Sequence, residues 1–240
     1  MKPLLVLPTY NEAQNIEEVI SKVQKSAPSC SILVVDDSSP DKTAEIVKKL
    51  SESNPKIYLL QRPGKMGLGS AYRTGFKWGM ENGFDVFIEM DSDLSHDPEQ
   101  INDLLSAIAQ GYDVAIGSRY IPGGKIPNWS FLRKALSVGG NLYAKWLLGF
   151  HVNDSTSGFR AYRAEILKQI NLERITAEGY GFQIEMTFRA YQSGGKIKEV
   201  PITFVDRVRG TSKMSSKIVT EALFLVTKWS LERFTRNKRG

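Results

Sequence analysis

The 240-residue chain is 41% hydrophobic and 24% charged, which excludes a disordered or low-complexity protein and suits one large domain with a sizeable core. A single cysteine, Cys30, excludes an internal disulfide and fits a reducing compartment. No stretch approaches the roughly 20 apolar residues of a membrane span, and the start of the chain does not read as a signal peptide. The net charge of +6 is uneven: residues 207–240 hold nine Lys or Arg against Glu221 and Glu232, so the first 206 residues are nearly neutral. A neutral body with a basic end suits either a solvated helix or contact with anionic partners.

Pro3 to Pro8 reads as a buried strand, followed by a helix from Ala13 to Ser26 with Ile16, Val19, Ile20 and Val23 at helical spacing. Ser31 to Val35 is a second strand, ending in Asp36 and Asp37, and Asp41 is placed to cap a helix through Ile46, Val47 and Leu50. Ile57 to Leu60 is a third strand. The glycine-rich turn from Gly64 to Ser70 leads into a helix from Ala71 to Met80; its spacing, and its place after the third strand, are wrong for a dinucleotide fingerprint. Asp85 to Met90 is a fourth strand that breaks into Asp91, Ser92 and Asp93. Pro98 suits the first turn of a helix through Ile101, Leu104, Leu105 and Ile108. Val114 to Gly117 is a fifth strand, ending in Ser118, Arg119 and Tyr120.

Beyond residue 120 the alternation fades. Phe131 to Phe150 reads as one long helix weakened at Gly139 and Gly140, Tyr180 to Ser193 as another, and Ile218 to Phe234 as the last. Lys198 to Val205 reads as a strand at or near a sheet edge, because Pro201 cannot donate to a ladder. Strands alternating with helices predict an α/β fold with a mainly parallel central sheet flanked by helices.

Ligands of such sheets bind beyond the carboxyl ends of the strands. Four polar clusters fall there: Pro8 to Glu12, Asp36 to Ser39, Asp91 to Asp93, and Ser118 to Tyr120. They should converge on one rim. Two carboxylates one residue apart, Asp91 and Asp93, place hard oxygen ligands on one side of a loop, which suits a divalent cation with a phosphate beyond it; the same pair also suits a plain turn.

Together these segments resemble the nucleotide-sugar-binding domain of family-two glycosyltransferases, and within that family the enzymes that load mannose onto a polyprenyl phosphate. The resemblance rests on Leu7 to Glu12, Val34 to Asp41, Gly64 to Gly75, Glu89 to Pro98, Gly117 to Tyr120, Asp154 to Arg160 and Arg207 to Lys213. It implies the GT-A fold, a Rossmann-like mainly parallel sheet flanked by helices, over residues 1–217. Residues 218–240 remain as a basic amphipathic helix on or beside that domain. By the same resemblance Pro8, Tyr10, Glu12, Val35 and Asp37 contact the donor's nucleoside, Ser92 lies near its ribose, and Asp91 and Asp93 hold Mg²⁺ or Mn²⁺. Ser95 stands where relatives can carry a Gln that joins the metal shell, and water can complete that shell here. Arg119, Arg207 and Lys213 meet the donor; Arg119, Arg133 and Ser137 meet an acceptor phosphate; Asp154 lies near both substrates.

The implied reaction is metal-dependent, inverting transfer of mannose from GDP-mannose to dolichyl or another polyprenyl phosphate. Two readings stand beside it: glucose transfer from UDP-glucose, and a non-catalytic sugar-nucleotide-binding subunit. A lipid acceptor implies a cytoplasmic protein peripheral to the cytosolic face of a membrane (the endoplasmic reticulum in a eukaryote), with small membrane subunits as further partners. Trp129, Phe131, Leu132 and Trp146 could face lipid. The stripe Ile218, Ala222, Leu225, Val226 and Trp229, followed by the basic run Arg233 to Arg239, fits either a helix lying on a membrane or one packed in the core. Nucleic acid is not an expected partner, because the basic end lacks interleaved aromatics.

Overall fold

The computed structural model describes residues 1–206 and 216–237. The expectations for Arg207 and Lys213 therefore lie outside the described residues. Strands β1 (Pro3–Thr9), β2 (Ser31–Asp36), β3 (Ile57–Gln61) and β4 (Val86–Glu89) pair in parallel, with β1 between β2 and β4. Their runs are apolar because they are covered on both faces, and Leu4 to Leu7 are wholly buried. Helices α1 (Ile16–Ser26), α2 (Thr43–Ser53), α3 (Leu68–Glu81) and α4 (Ile101–Ala109) are the connections. A 3₁₀ turn at Pro98–Gln100 leads into α4, and Asp97 caps it by accepting from the Glu99 amide at 3.0 Å. Asp41 accepts from the Thr43 amide and hydroxyl, so it closes the start of α2 from two residues ahead.

The sheet continues through β5 (Val114–Ser118), β6 (Arg160–Arg163) and β7 (Ile197–Pro201), giving the order β3-β2-β1-β4-β6-β5-β7. β6 alone runs antiparallel, wedged between β4 and β5. β7 is an edge strand, as Pro201 requires. The sequence reading contained neither β6 nor the short helix α6 (Ala164–Ile170) that follows it. Two of the three remaining predicted long helices are α5 (Phe131–Leu148), unbroken at Gly139 and Gly140, and α7 (Gly179–Gln192).

One face of the sheet packs α1, α2 and α4 through Ile16, Ile20, Val47 and Leu104; the other packs α3 and α5 to α8 through Tyr72, Phe76, Leu148, Phe182 and Val226. Gly75 and Gly79 let α3 lie close to the sheet: a Cβ at Gly75 would meet Val6 at 2.5 Å, and one at Gly79 would meet Phe87 at 2.5 Å. That close seat fixes the start of α3 beside the carboxyl ends of β1 and β4.

Helix α8 (Ser216–Asn237) lies against α5 and α7. Ala222, Val226 and Trp229 of its expected membrane stripe are buried in the core, and the Ser230 hydroxyl donates to the Leu147 carbonyl at 3.2 Å. These three residues thus serve packing, while Leu223, Phe224 and Leu231 are exposed; the Ile218 side chain and the side chains of the basic run Arg233 to Arg239 lie outside the described residues. A larger apolar surface is on α5, where Phe131 is 88% and Trp146 79% exposed, with Leu132, Leu136 and Leu142 also outward. Among the described residues no helix is long and apolar enough to cross a membrane.

Trp229→Ala should cost about 3–5 kcal/mol of stability through the cavity it leaves under α8. Urea unfolding of the full chain checks this; a loss well under about 1 kcal/mol would place α8 off the core.

Candidate active site

A cleft of about 690 Å³ opens over the carboxyl ends of β1, β2, β4 and β5. Pro8, Tyr10 and Glu12 line it from the end of β1, Asp37 from the end of β2, Asp91, Ser92 and Asp93 from the end of β4, and Arg119 from the end of β5. The four strand-end clusters converge as the parallel topology demands. Arg133, Lys65, Gly158, Glu178, Tyr180, Gln183 and Asp206 complete the wall.

Each element holds its contribution by specific bonds. The Ser92 hydroxyl donates to the Pro8 carbonyl at 3.1 Å, locking the β4 loop to the end of β1. Asp37 is buried and accepts from Arg62 Nε at 2.6 Å and from the Met66 amide at 3.1 Å. The Tyr10 ring lies under the Lys65 ammonium, 4.7 Å from its centroid. Gly67 takes φ +97°, a left-handed conformation open to glycine, and turns the chain into α3. The first amides of α3 are already occupied: Glu178 accepts from Gly69 at 2.7 Å and Ser70 at 3.0 Å. Burial raises the Glu178 pKa, and these amides and Arg73 oppose the rise.

Asp91 and Asp93 offer carboxylate oxygens on the cleft wall, the donor type that Mg²⁺ and Mn²⁺ require. Among the described residues, no three or more His, Cys, Asp or Glu gather into a closed cage. Two carboxylates alone would leave the other positions around such a cation to water or ligand oxygens, the way Mg²⁺ is commonly held. The Ser95 hydroxyl and amide both donate to Asp93 Oδ1, the amide at 3.0 Å. Ser95 is buried and off the cleft wall, so its visible role is to orient Asp93.

Below this pair the Glu89 carboxyl is wholly buried, and burial raises its pKa to about 7 against the opposing pull of the Arg160 guanidinium and the Gln183 amide, with the Asp91 charge adding to the rise. Neither Glu89 oxygen has a hydrogen bond of ordinary length and angle.

Arg119 is buried and gripped by Asp154, with Nε to Oδ2 and Nη2 to Oδ1 both at 2.7 Å. Burial alone would lower the Arg119 pKa; the Asp154 charge and bonds outweigh it and raise it. Arg133 is more open. It donates to Asp206 at 2.8 Å and stacks 3.9 Å from the Trp129 ring centroid. Ser137 is one turn on, off the cleft wall, and accepts from the Tyr120 hydroxyl at 2.7 Å. The Val35 side chain is buried in the core, leaving its backbone as the part that could meet a ligand. Arg62, Glu178, Gln183 and Asp206 were not among the residues singled out from sequence. The local signal for Gln183 is a helix buried nearly all round that nonetheless carries Gln183, Glu185 and Thr187 inside.

The sequence model for Glycosyl transferase family 2 matches residues 4–170. The chain is 47% identical over 231 residues to the undecaprenyl-phosphate mannosyltransferase of Micrococcus luteus, covering 96% of this chain and 95% of that one. It is 44% identical over 240 residues to the polyprenol monophosphomannose synthase of Mycolicibacterium smegmatis, covering 100% and 91%. Among solved structures, glucosyl-3-phosphoglycerate synthase from Mycobacterium tuberculosis with Mn²⁺, UDP and glucosyl-3-phosphoglycerate superposes with TM-score 0.69 at 19% identity, over 95% of this chain and 79% of that one. The mannosyltransferase PcManGT from Pyrobaculum calidifontis, with GDP-Man and Mn²⁺, gives 0.61 at 16% identity, over 96% and 72%. At these identities the two structures speak for the fold.

The two cleft arginines should separate in a stability measurement. Arg119→Ala strands the buried Asp154 charge and should cost about 3–5 kcal/mol. Arg133→Ala removes a partly exposed pair and should cost no more than about 1 kcal/mol. Chemical unfolding of both variants checks the order, and comparable losses would mean that Asp154 does not depend on Arg119.

Proposed function

The chain belongs to glycosyl transferase family 2 and has the GT-A fold, and from that premise we propose that it transfers mannose from GDP-mannose to a polyprenyl phosphate with inversion at the anomeric carbon. One observation carries the reading. A single cleft has a carboxylate pair suited to a metal-bound diphosphate on one wall, and on its rim an arginine at the start of an exposed apolar helix. A soluble acceptor has no use for that apolar face; a lipid phosphate does. The relatives whose names specify mannose transfer with undecaprenyl phosphate or polyprenol support the same sugar and acceptor.

The acceptor phosphate is already an anion at neutral pH, so the chemistry needs no general base. A phosphate oxygen forms a bond to the anomeric carbon while the bond from that carbon to the donor diphosphate breaks, the electron pair leaving with the diphosphate. One displacement inverts the centre. The protein's task is to position the two anions in line and to stabilise the departing one. Mg²⁺ or Mn²⁺ held by Asp91 and Asp93 would supply Lewis-acid stabilisation of the diphosphate. Tyr10, Glu12 and Asp37 form the wall proposed for the nucleoside, with Pro8 and the Val35 backbone behind. Arg133 is proposed for the acceptor phosphate, where its planar fork suits two phosphate oxygens. Arg119 holds the loop between them, and Arg207 and Lys213 are proposed as further donor-side cations. The lipid places the enzyme at a membrane surface, peripheral to it and met by the outer face of α5.

The test is transfer of radiolabelled sugar into organic-extractable lipid, comparing GDP-mannose, UDP-glucose and UDP-N-acetylglucosamine with added Mg²⁺ or Mn²⁺. Label should pass from GDP-mannose alone. Asp91→Ala and Asp93→Ala should each lower transfer at least about a hundredfold while remaining folded. Faster transfer from UDP-glucose would overturn the donor, and near-normal activity of both variants would overturn the metal assignment.

A further inference from the structure

Gln183 is 2% exposed, lines the cleft, and has neither its amide nitrogen nor its amide oxygen in a hydrogen bond of ordinary geometry. Folded proteins keep few such groups, and each calls for an explanation. Glu89 does not supply one. Its carboxyl is near enough to feel the amide, but neither its oxygens nor the amide atoms are in a bond of ordinary length and angle. The remaining neighbour is the cleft itself. The spot that a Cβ on Gly158 would fill lies 3.8 Å from Asp91 Oδ2 and 3.9 Å from Gln183 Nε2. Glycine there leaves an opening flanked by a candidate metal ligand on one side and an unused primary amide on the other.

We infer that Gln183 binds the sugar of the donor, its amide donating to one ring hydroxyl and accepting from another in the opening over Gly158. The inference rests on the hexosyl-nucleotide reading of the cleft and adds the residue that holds the hexose. The chemistry is specific. A primary amide presents a donor and an acceptor side by side, and vicinal ring hydroxyls offer the complementary pair. The hexose hangs from the diphosphate, so a cation on Asp91 and Asp93 would bring the sugar to this part of the wall. A group left unpaired in the free protein and satisfied by ligand favours donors carrying the matching hydroxyls, because a donor that lacks one leaves a buried polar group without a partner.

The experiment compares wild type, Gln183→Leu and Gln183→Met for thermal stability, for GDP affinity by calorimetry in the presence of Mn²⁺, and for kcat/KM with GDP-mannose and its single-position deoxy analogues. Both variants should melt at or above the wild-type temperature, since an unpaired buried amide is removed. GDP affinity should stay within about twofold, while kcat/KM for GDP-mannose falls by about tenfold to a hundredfold. At least one deoxy donor should be poor for wild type yet lose little or nothing further in the variants, the non-additivity of two partners in one bond. Three results would overturn the assignment: a lower melting temperature with all donors and GDP weakened alike, additive losses at every ring position, or unchanged GDP-mannose turnover. Wild-type turnover of GDP-mannose in the same assay decides the donor reading separately. If another hexosyl nucleotide is the substrate, the same cycle with its deoxy analogues decides Gln183.

Discussion

The site is built around one buried cation. Arg160 opens β6 and is fully buried, directly across the ladder from Glu89 of β4. Its guanidinium donates to the carbonyls of Ser155, Ser157 and Gln183 at 2.6–2.9 Å and to the Thr187 hydroxyl at 2.7 Å. A buried guanidinium is tolerated when its donors are met and a countercharge lies near. Meeting them here pulls three elements to one point: the 154–159 loop, helix α7 and strand β4. Asp154, Gly158, Gln183 and Asp91 take their places from those elements. The reversed strand is therefore a structural requirement of the cleft: a parallel strand in the same slot would put the Arg160 end of the ladder away from Glu89.

Sequence reading succeeds where the signal is local. Each parallel unit is an apolar run followed by turn residues, so the clusters at Pro8 to Glu12, Asp36 and Asp37, Asp91 to Asp93 and Ser118 to Tyr120 could be placed on one rim before any coordinates. β6 has no such signal. Its four residues, Arg160 to Arg163, show neither an apolar run nor a strict alternation, and they are strand because of what they pair with. The same holds for Arg62 and Glu178, whose partners Asp37, Gly69 and Ser70 are distant in the chain, and for Gln183, which takes its place from the packing of α7. The α8 stripe shows a different limit. A 3.6-residue apolar period states that one face avoids water and does not state whether protein or lipid covers it; Trp229 and Val226 are covered by protein. Val35 and Ser137 were read as site residues from motif position alone, and their side chains turn to the core and to Tyr120.

Electrostatics of the cleft are organised by pairing. Arg119 is held by Asp154, Arg133 by Asp206, and Arg62 behind them by Asp37. Such pairs preorganise donors, so that little reorganisation is needed when an anion arrives. They are not equivalent. The Arg119 side chain is 7% and the Asp154 side chain 0% exposed, so releasing Arg119 toward a phosphate would leave a bare buried carboxylate. Arg133 and Asp206 are 32% and 42% exposed, and water can take over either partner at little cost. On physical grounds Arg119 is the anchor of the loop, and Arg133 is the arginine that can leave its partner at little cost, which is what the role proposed for it requires.

That asymmetry bears on what kind of acceptor the cleft can serve. The exchangeable arginine sits at the first turn of α5, and Phe131, Leu132, Leu136, Leu142 and Trp146 spread over the outer side of the same helix. A large exposed apolar patch is costly in water unless something apolar meets it. A polyprenyl phosphate has its charge at one end and its apolar chain at the other, and the first turn of α5 has the same order: a charge-exchanging arginine toward the cleft, then hydrocarbon outward. Helix α8 packs on α5, with Val226 and Trp229 in the same core as Ala144 and Leu148 and the Ser230 hydroxyl bonded to the Leu147 carbonyl. Helix α8 thus supports the proposed lipid-facing side of α5 from behind, with Ala222, Val226 and Trp229 of its own stripe in the core.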